Sequence, residues 1–442
     1  MSSAFEYITK FDAEWLKHVP VDWEIINLGY VSKMIVPMRD KPTKFDGDIP
    51  WIRIEDFNGK YISDSKSRQY VSKELVKGMN LKVFPIGTVL CTCSCSMGAT
   101  AIVEQPLISN QTFIGIVPGE NLDSEYLFYL MQASAERLQL FAQGAIQQYL
   151  SKHNFEHLKI PLPSLKIQKR LLVFLNRKLK DLDELIENKK QLIDLLEEKR
   201  QTLITEAVTR GLNPNVKMKD SGVEWIGEIP EHWTIKKIKH ISNLVGSGKT
   251  PKGGSEIYPE SGVLFLRSMN VHYDGIRLKD IVHITPEIDE DMRSTRVKSK
   301  DVLLNITGAS IGRSCIVPES LGKANVNQHV CIIRSNTKVV VPELLSKIMA
   351  SNFIMQQILM SQNGSSREGL NFTQVKNLEF PLTRDLQEQI EIANHISVET
   401  NKINSLIGMI EEQIQKLKEY RQSLIYEVVT GKIDVRDFEV KA

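Results

Sequence analysis

Glu198-Lys-Arg-Gln-Thr-Leu-Ile-Thr-Glu-Ala-Val-Thr-Arg210 returns later in the chain as Glu419-Tyr-Arg-Gln-Ser-Leu-Ile-Tyr-Glu-Val-Val-Thr-Gly431. At a constant offset of 221, Glu198, Arg200, Gln201, Leu203, Ile204, Glu206, Val208 and Thr209 have identical partners, eight matches in thirteen positions. Self-similarity at that level marks two copies of one structural unit.

The stretch ends a long helical pattern in each copy, from about Leu165 to Arg210 and from Leu386 to Thr430. Leu172, Leu175, Leu179, Leu182, Ile186, Ile193, Leu196, Leu203 and Ala207 recur at a 3-4 spacing. Ala393, Ile396, Ile403, Ile407, Ile410, Ile414, Leu417, Leu424 and Val428 hold the matching places. Lys189, Arg200, Thr400 and Arg421 interrupt the two seams. Seams sustained over this length predict a coiled coil, and the nearest cover for each stripe is the other copy's seam. Symmetry between the copies predicts antiparallel packing, with the two globular parts toward opposite ends of a rod. Roughly 43 residues at ~1.5 Å give about 65 Å per helix. Arg200 and Arg421 occupy the same seam position. They are expected to set the register or to meet acidic groups of a partner, or else to pack only their stems in the seam.

Upstream, the copies run in parallel. Val19-Pro-Val-Asp-Trp23 is echoed by Ile229-Pro-Glu-His-Trp233, and the strand candidate Ile49–Ile54 by Val263–Ser268, pairing Arg53 with Arg267. Thr88–Val103 faces Asp301–Val317, each a strand, a Gly turn (Gly98, Gly312) and a second strand. Asn110-Gln111 matches Asn327-Gln328. Helices are predicted over Ser124–Ala142 and Pro342–Met360, ended by Gly144 and Gly364; polar loops follow, and Pro161 and Pro381 close the globular parts. Residues 211–228, opening Gly211-Leu-Asn-Pro214, read as a connector with helix-stop chemistry. The fold class expected is α+β: two tandem mixed-sheet domains with helices, each followed by a long helix, the two helices pairing as an antiparallel coiled coil.

With 442 residues, 42% hydrophobic and 25% charged, the chain fits an ordinary globular protein of two to four domains. No apolar run is long enough for a membrane span, and Met1-Ser-Ser-Ala-Phe-Glu lacks a signal-peptide layout, so a cytoplasmic location is expected. The five cysteines show no disulfide spacing. Cys91, Cys93 and Cys95 alternate. At offset 214 the second copy holds Asn305, Thr307 and Ala309, which favours small buried residues over metal ligands. The net charge of +2 does not by itself announce nucleic acid.

No active site emerges. Val245-Gly-Ser-Gly-Lys-Thr250 lacks the first glycine of a phosphate loop (Asn243 stands there), and Pro251 follows at once. His153 and His157 have metal-helix spacing, but the second copy holds Thr373 and Asn377. Glu197-Glu-Lys199 lies on a coiled-coil flank and reads as a solvated face. The Asn/Asp-Pro-Pro-aromatic tetrapeptide of an amino-methyltransferase and the Gly-rich cofactor fingerprint are absent. A binding protein is favoured over an enzyme, with no catalytic residue, metal or cofactor on this chain.

Basic and amide residues recur on the loops of both copies. The nucleic-acid-binding candidates are Arg39, Lys41, Lys44, Arg53, Gln111, Gln147 and Gln148 in the first. In the second they are Lys249, Thr250, Lys252, Arg267, Asn270, Arg313, Gln328, Ser365, Ser366 and Arg367. Further basic residues there are Lys236, Lys237, Lys239, Arg293, Arg296, Lys298 and Lys300. Lys and Arg suit phosphates; Arg, Asn and Gln read base edges in bidentate fashion. For Arg53 and Arg267 a structural salt bridge is the competing role. The helical seam, through Leu172, Leu175, Leu182, Ile193, Leu196, Arg200, Leu203, Ile396, Ile403, Ile410, Ile414, Leu417, Arg421 and Leu424, is the candidate for subunit docking.

The linker Gly211-Leu-Asn-Pro-Asn-Val-Lys-Met-Lys-Asp-Ser-Gly-Val-Glu-Trp-Ile-Gly-Glu-Ile-Pro-Glu-His-Trp233 and the helix ends Arg200–Thr209 and Arg421–Thr430 resemble the specificity subunits of type I restriction–modification systems. The resemblance runs from Val19 to about Ile433. It implies target-recognition domains at 1–160 and 229–380, helical spacers at 161–211 and 381–431, a linker at 212–228 and a tail at 432–442. It further implies that each domain reads half of a bipartite double-stranded DNA target. The coiled coil would act as a ruler and dock two methyltransferase (modification) subunits, which bind S-adenosylmethionine, and restriction (motor–nuclease) subunits would join for cleavage. At ~3.4 Å per base pair a ~65 Å rod spans at most about 19 base pairs. Two departures stand out: Arg39-Asp-Lys-Pro42 replaces the Gly248–Pro251 loop of the second copy, and the Cys91–Cys95 run is unusual. The competing reading is a coiled-coil adaptor whose two heads bind sugars or peptides rather than DNA.

Overall fold

The computed structural model describes residues 15–17, 19–37, 41–93, 98–141, 150–251, 258–362 and 369–435. Packing divides the chain into two compact units, 1–189 with 412–442, and 190–411. The division is not the linear order of domains and spacers, because each unit takes one globular head and a stretch of both long helices. Those helices span Leu165–Arg210 and Leu386–Val429.

In the first head a five-stranded sheet runs Ser32–Ile35, Phe113–Pro118, Val89–Thr92, Thr100–Val103, Tyr61–Ile62. A three-stranded sheet runs Tyr70–Val71, Ile49–Ile52, Ile108–Ser109. The second head has a four-stranded sheet, Ser242–Ser247, Val330–Ser335, Val302–Asn305, Ser314–Ile316, and a three-stranded one, Val282–Ile284, Val263–Leu266, Ala324–Val326. Each small sheet has a central strand with one antiparallel and one parallel neighbour. The entry strands also correspond: Glu24–Asn27 pairs with Lys159–Leu162, and Thr234–Lys237 with Glu379–Leu382, both antiparallel. Duplication at the level of topology confirms the mixed-sheet α+β reading.

Two local expectations are corrected. The ladders align Val89, Leu90 and Cys91 with Val302, Leu303 and Leu304, so Cys91 corresponds to Leu304 rather than Asn305. The extra residue of the second copy falls after the strand, in the turn. Cys91 and Cys93 are buried, and burial pushes both thiols up, Cys93 to about 12; Cys95 lies outside the described residues. The predicted helices Ser124–Ala142 and Pro342–Met360 are each two helices, Ser124–Ala133 with Ala135–Phe141, and Pro342–Met349 with Asn352–Gln362. At the corners Ser134 Oγ donates to Leu130 O (2.7 Å) and Ser351 Oγ to Ile348 O (2.6 Å), side-chain bonds that compete with the helix's own ladder. Gly144 and Gly364 lie outside the described residues.

The long helices are built as the seam predicts. In the first unit Leu172, Leu175, Leu179, Ile186, Ile414, Leu424 and Val428 are buried; in the second Ala207, Ala393, Ile396, Ile403 and Ile410 are. Leu182, Ile193, Leu196, Leu203, Ile407 and Leu417 are half-buried. Within the first unit Lys189 Nζ donates to Gln413 Oε1 (2.6 Å) and Arg421 Nε to Asp183 Oδ1 (3.0 Å), so one helix descends as the other rises. Within the second, Arg200 Nη1 donates to Asn404 Oδ1 (2.7 Å). Asp183 and Asn404 are themselves related by the offset of 221, so both arginines make the same cross-helix contact. These bonds are surface-exposed, and such pairs contribute about 0–1 kcal/mol. Arg200→Leu with Arg421→Leu, which removes two such contacts, is therefore expected to change unfolding free energy by less than about 2 kcal/mol in a denaturant titration.

Gly211 and Gly431 follow the helix ends with φ of +73° each, the left-handed conformation that glycine adopts without strain. Among the described residues no helix is long and apolar enough to cross a membrane.

Candidate nucleic-acid interface

The two parallel strands of each small sheet end side by side, and that edge is the candidate site. In the first head Ile52 is in register with Ser109, whose Oγ donates to Ile52 O (2.7 Å). The next residues are Arg53 on one strand and Asn110-Gln111 on the other. In the second head Leu266 is in register with Val326, and Asn327 N donates to Leu266 O (3.0 Å). There the next residues are Arg267 and Asn327-Gln328. The amide turn is the same in both: Asn110 Oδ1 accepts from Thr112 N (2.9 Å) and Asn327 Oδ1 from His329 N (3.1 Å). This side-chain mimicry of a turn leaves Gln111 and Gln328 exposed at the tip.

The arginines are half-buried and held by their backbones. Arg53 N donates to Asp56 Oδ2 (2.7 Å), and Arg267 N to Asn270 Oδ1 (2.9 Å). Asn270, a predicted contact residue, is fully buried, and its Nδ2 donates to Arg277 O (2.9 Å). Its amide is thus committed to the loop under Arg267. Arg53 Nε lies 3.0 Å from Glu55 Oε1 without hydrogen-bond alignment, whereas Arg267 Nη2 donates to Asp280 O (2.7 Å). Both Nε atoms are buried and without a hydrogen bond among the described residues.

In the second head a further loop reaches this edge. A Cβ on Gly248 would lie 1.5 Å from Val326 O and 3.1 Å from Asn327 O. Only glycine permits that approach to Val326 and Asn327, and the residues that follow it, Lys249 and Thr250, are exposed. The following residues carry no helix through Pro251, so the phosphate-loop geometry is absent there. Thr307 Oγ1 bonds His329 Nδ1 (2.6 Å), and Thr307 bridges Gly369. Neither Thr307 nor His329 stands out by residue type, but His329 directly follows Asn327-Gln328 and Thr307 is bonded to it. Arg313 lies nearby on the turn before Ser314: its N–H is bonded to Ser310 O (3.1 Å), and its charge acts against the burial that raises the Tyr273 hydroxyl. Lys41 and Lys44 are exposed on the approach to the Ile49–Ile52 strand. Arg39, Gln147, Gln148, Lys252, Ser365, Ser366 and Arg367 lie outside the described residues. The residues that bracket two of those stretches are pinned alike: Leu150 N donates to Cys93 O (2.9 Å) and Leu370 N to Ile306 O (2.7 Å).

Several basic residues are neutralised inside the domain. Arg296 Nε donates to the fully buried Asp289 Oδ2 (2.8 Å), and Asp289 and Glu290 together hold its guanidinium charged. Lys237 pairs with Glu379 (2.9 Å) and Lys300 with Glu343 (3.3 Å). His153 and His157 lie with ring centroids 3.9 Å apart, tilted by 36°, on a surface helix, and no metal-holding group of His, Cys, Asp and Glu occurs among the described residues.

Two heads of corresponding topology, each ending a parallel strand pair in an arginine and an exposed amide turn, define a duplicated recognition module. The family description for the type I restriction modification DNA specificity domain matches residues 20–198 and 230–416, and the chain belongs to that family. It is similar to the type I restriction enzyme MjaIX specificity subunit of Methanocaldococcus jannaschii, 26% identical over 98% of both chains. It is also similar to the EcoBI specificity subunit of Escherichia coli, 22% identical over 93% of this chain and 86% of that one. A solved structure concerned with complex assembly and conformational transition of the type I R-M system superposes with a TM-score of 0.67 at 17% identity, covering 94% of this chain and 99% of that one. At that identity the likeness speaks to the fold.

Proposed function

We infer that this chain is the DNA sequence-specificity subunit of a type I restriction–modification complex, and that each head reads one half of a bipartite target. The observation that carries this is the edge built twice, Arg53 beside Asn110-Gln111 and Arg267 beside Asn327-Gln328. Guanidinium and carboxamide groups make two-pronged hydrogen bonds to base edges, and a rigid strand pair holds them in one orientation. The paired helices set the separation of the half-sites and dock two methyltransferase subunits. S-adenosylmethionine and the methyl-transfer chemistry belong to those partners, and restriction subunits join for cleavage. The relatives' designation as specificity subunits supports a reading role without catalysis for this chain.

The test is binding of the assembled methyltransferase complex to a panel of duplexes at moderate salt. One bipartite sequence is expected to bind far better than the rest. Arg53→Ala and Arg267→Ala should each weaken binding about tenfold, with relaxed preference at one half-site only, the size of a lost bidentate contact. Equal binding to every duplex would sink the reading.

A further inference from the structure

Each head is gripped by a buried glutamine from the first turn of the long helix that follows it. Gln168 is fully buried: its Oε1 accepts from Asp123 N (2.8 Å), and its Nε2 donates to Asn121 O and Pro163 O (2.8 Å each). Gln389, at the offset of 221, is also fully buried. Its Oε1 accepts from Val341 N (2.8 Å), and its Nε2 donates to Val339 O (3.0 Å) and Thr383 O (2.9 Å). Asp123 and Val341 are the N-caps of corresponding head helices, Ser124–Ala133 and Pro342–Met349. Both donors of each carboxamide are used, so each ring of contacts admits one orientation. A buried polar group costs stability unless fully bonded, and two such groups at matched positions are more than filler for an apolar core.

The opposing helix supplies a second grip, nearer the surface. Gln422 Nε2 donates to Gln132 O (3.1 Å) in the first unit, and Gln201 Nε2 to Ala350 O (2.7 Å) in the second. These two glutamines belong to the repeated stretch at the helix ends. The gripped head helix packs in turn on the strands Thr100–Val103 and Val89–Thr92, and residue Cys93 takes up Thr112 O beside the exposed Gln111.

We propose that Gln168 and Gln389 are positioning residues that fix each head's angle on its helix, and through it the length of DNA tolerated between the two half-sites. The proposal rests on the bipartite reading given above. It assigns no base contact to either residue: sequence preference lies in the heads, length preference in the forks of hydrogen bonds made by these two buried carboxamides.

The experiment uses the assembled methyltransferase complex with wild-type chain, Gln168→Met, Gln389→Met and the conservative Gln168→Glu and Gln389→Glu. Competition binding is measured on duplexes that keep both half-sites and vary the intervening length by single base pairs. Wild type is expected to favour one length. The Met variants should cut that preference at least tenfold while keeping the preferred sequence of each half-site. The Glu variants, which keep the acceptor and lose both donors, should fall between. Folded Met variants with wild-type length preference overturn the proposal. Loss of folded chain in both Met and Glu variants assigns the forks to folding alone and equally overturns it. A wild-type complex indifferent to length removes the bipartite reading beneath, a distinct failure.

Discussion

Gly248→Ala is expected to disable the second recognition head, with at least a hundredfold loss of binding to the cognate duplex. The added Cβ would sit 1.5 Å from Val326 O, inside any van der Waals contact, and the obstacle is backbone rather than a side-chain end. Relief requires moving either the Lys249–Thr250 loop or the strand Ala324–Val326, and the latter carries Asn327-Gln328 at its end. Overpacking typically costs about 1–3 kcal/mol, and an obstacle of backbone puts this case at the upper end; a hundredfold in affinity is ~2.7 kcal/mol. Gly246→Ala is the control, since a Cβ there meets nothing within 4 Å. Cognate affinity unchanged in Gly248→Ala would show that the loop has no part in recognition.

Leu175→Ala and Ile396→Ala should each destabilise the unit that contains them by about 2–5 kcal/mol, the usual cost of emptying a well-packed core. Both side chains are fully buried, Leu175 in the core of the first unit and Ile396 in that of the second. Each lies where helix seam and head core are continuous: Leu175 with Tyr126 and Leu130, Ile396 with Leu344 and Ile348. Denaturation followed by hydrogen exchange should therefore report lost protection in one unit per variant. Leu195→Ala, at a side chain 61% exposed, should stay within about 0.5 kcal/mol. Equal loss of protection in both units from either core change would contradict the partition.

The long helices were legible because one period governs more than forty residues, so a few polar interruptions do not blur it. The repeat then made the heads readable as a pair, even where neither reads clearly alone. What escaped was local. A single extra residue in the turn after Asn305 displaced the comparison of Cys91 by one place. Ser134 and the Ala350-Ser351 corner broke helices whose apolar periodicity runs on through them. Gln168 and Gln389 look like the solvated glutamines of any helix, and their identity at the common offset of 221 is the signal that could have found them. Asn270 is an amide in a loop, the composition of a base reader, yet its place is beneath Arg267. Side-chain type fixes what a residue is able to bond; the burial that decides its partner is set by distant strands.

The composition of the two units has a consequence for how the chain is made. The second unit, 190–411, is contiguous and is synthesised in one passage. The first needs residues 412–442 to join 1–189, and Ile425, Val428 and Val429 complete its core. At about 5–20 residues per second the ribosome delivers that closing segment roughly 10–45 s after Lys189. The head that is translated first thus waits longest with an open apolar flank, and premature termination after Glu411 would release a product whose later half is finished and whose earlier half is exposed to chaperones and proteases.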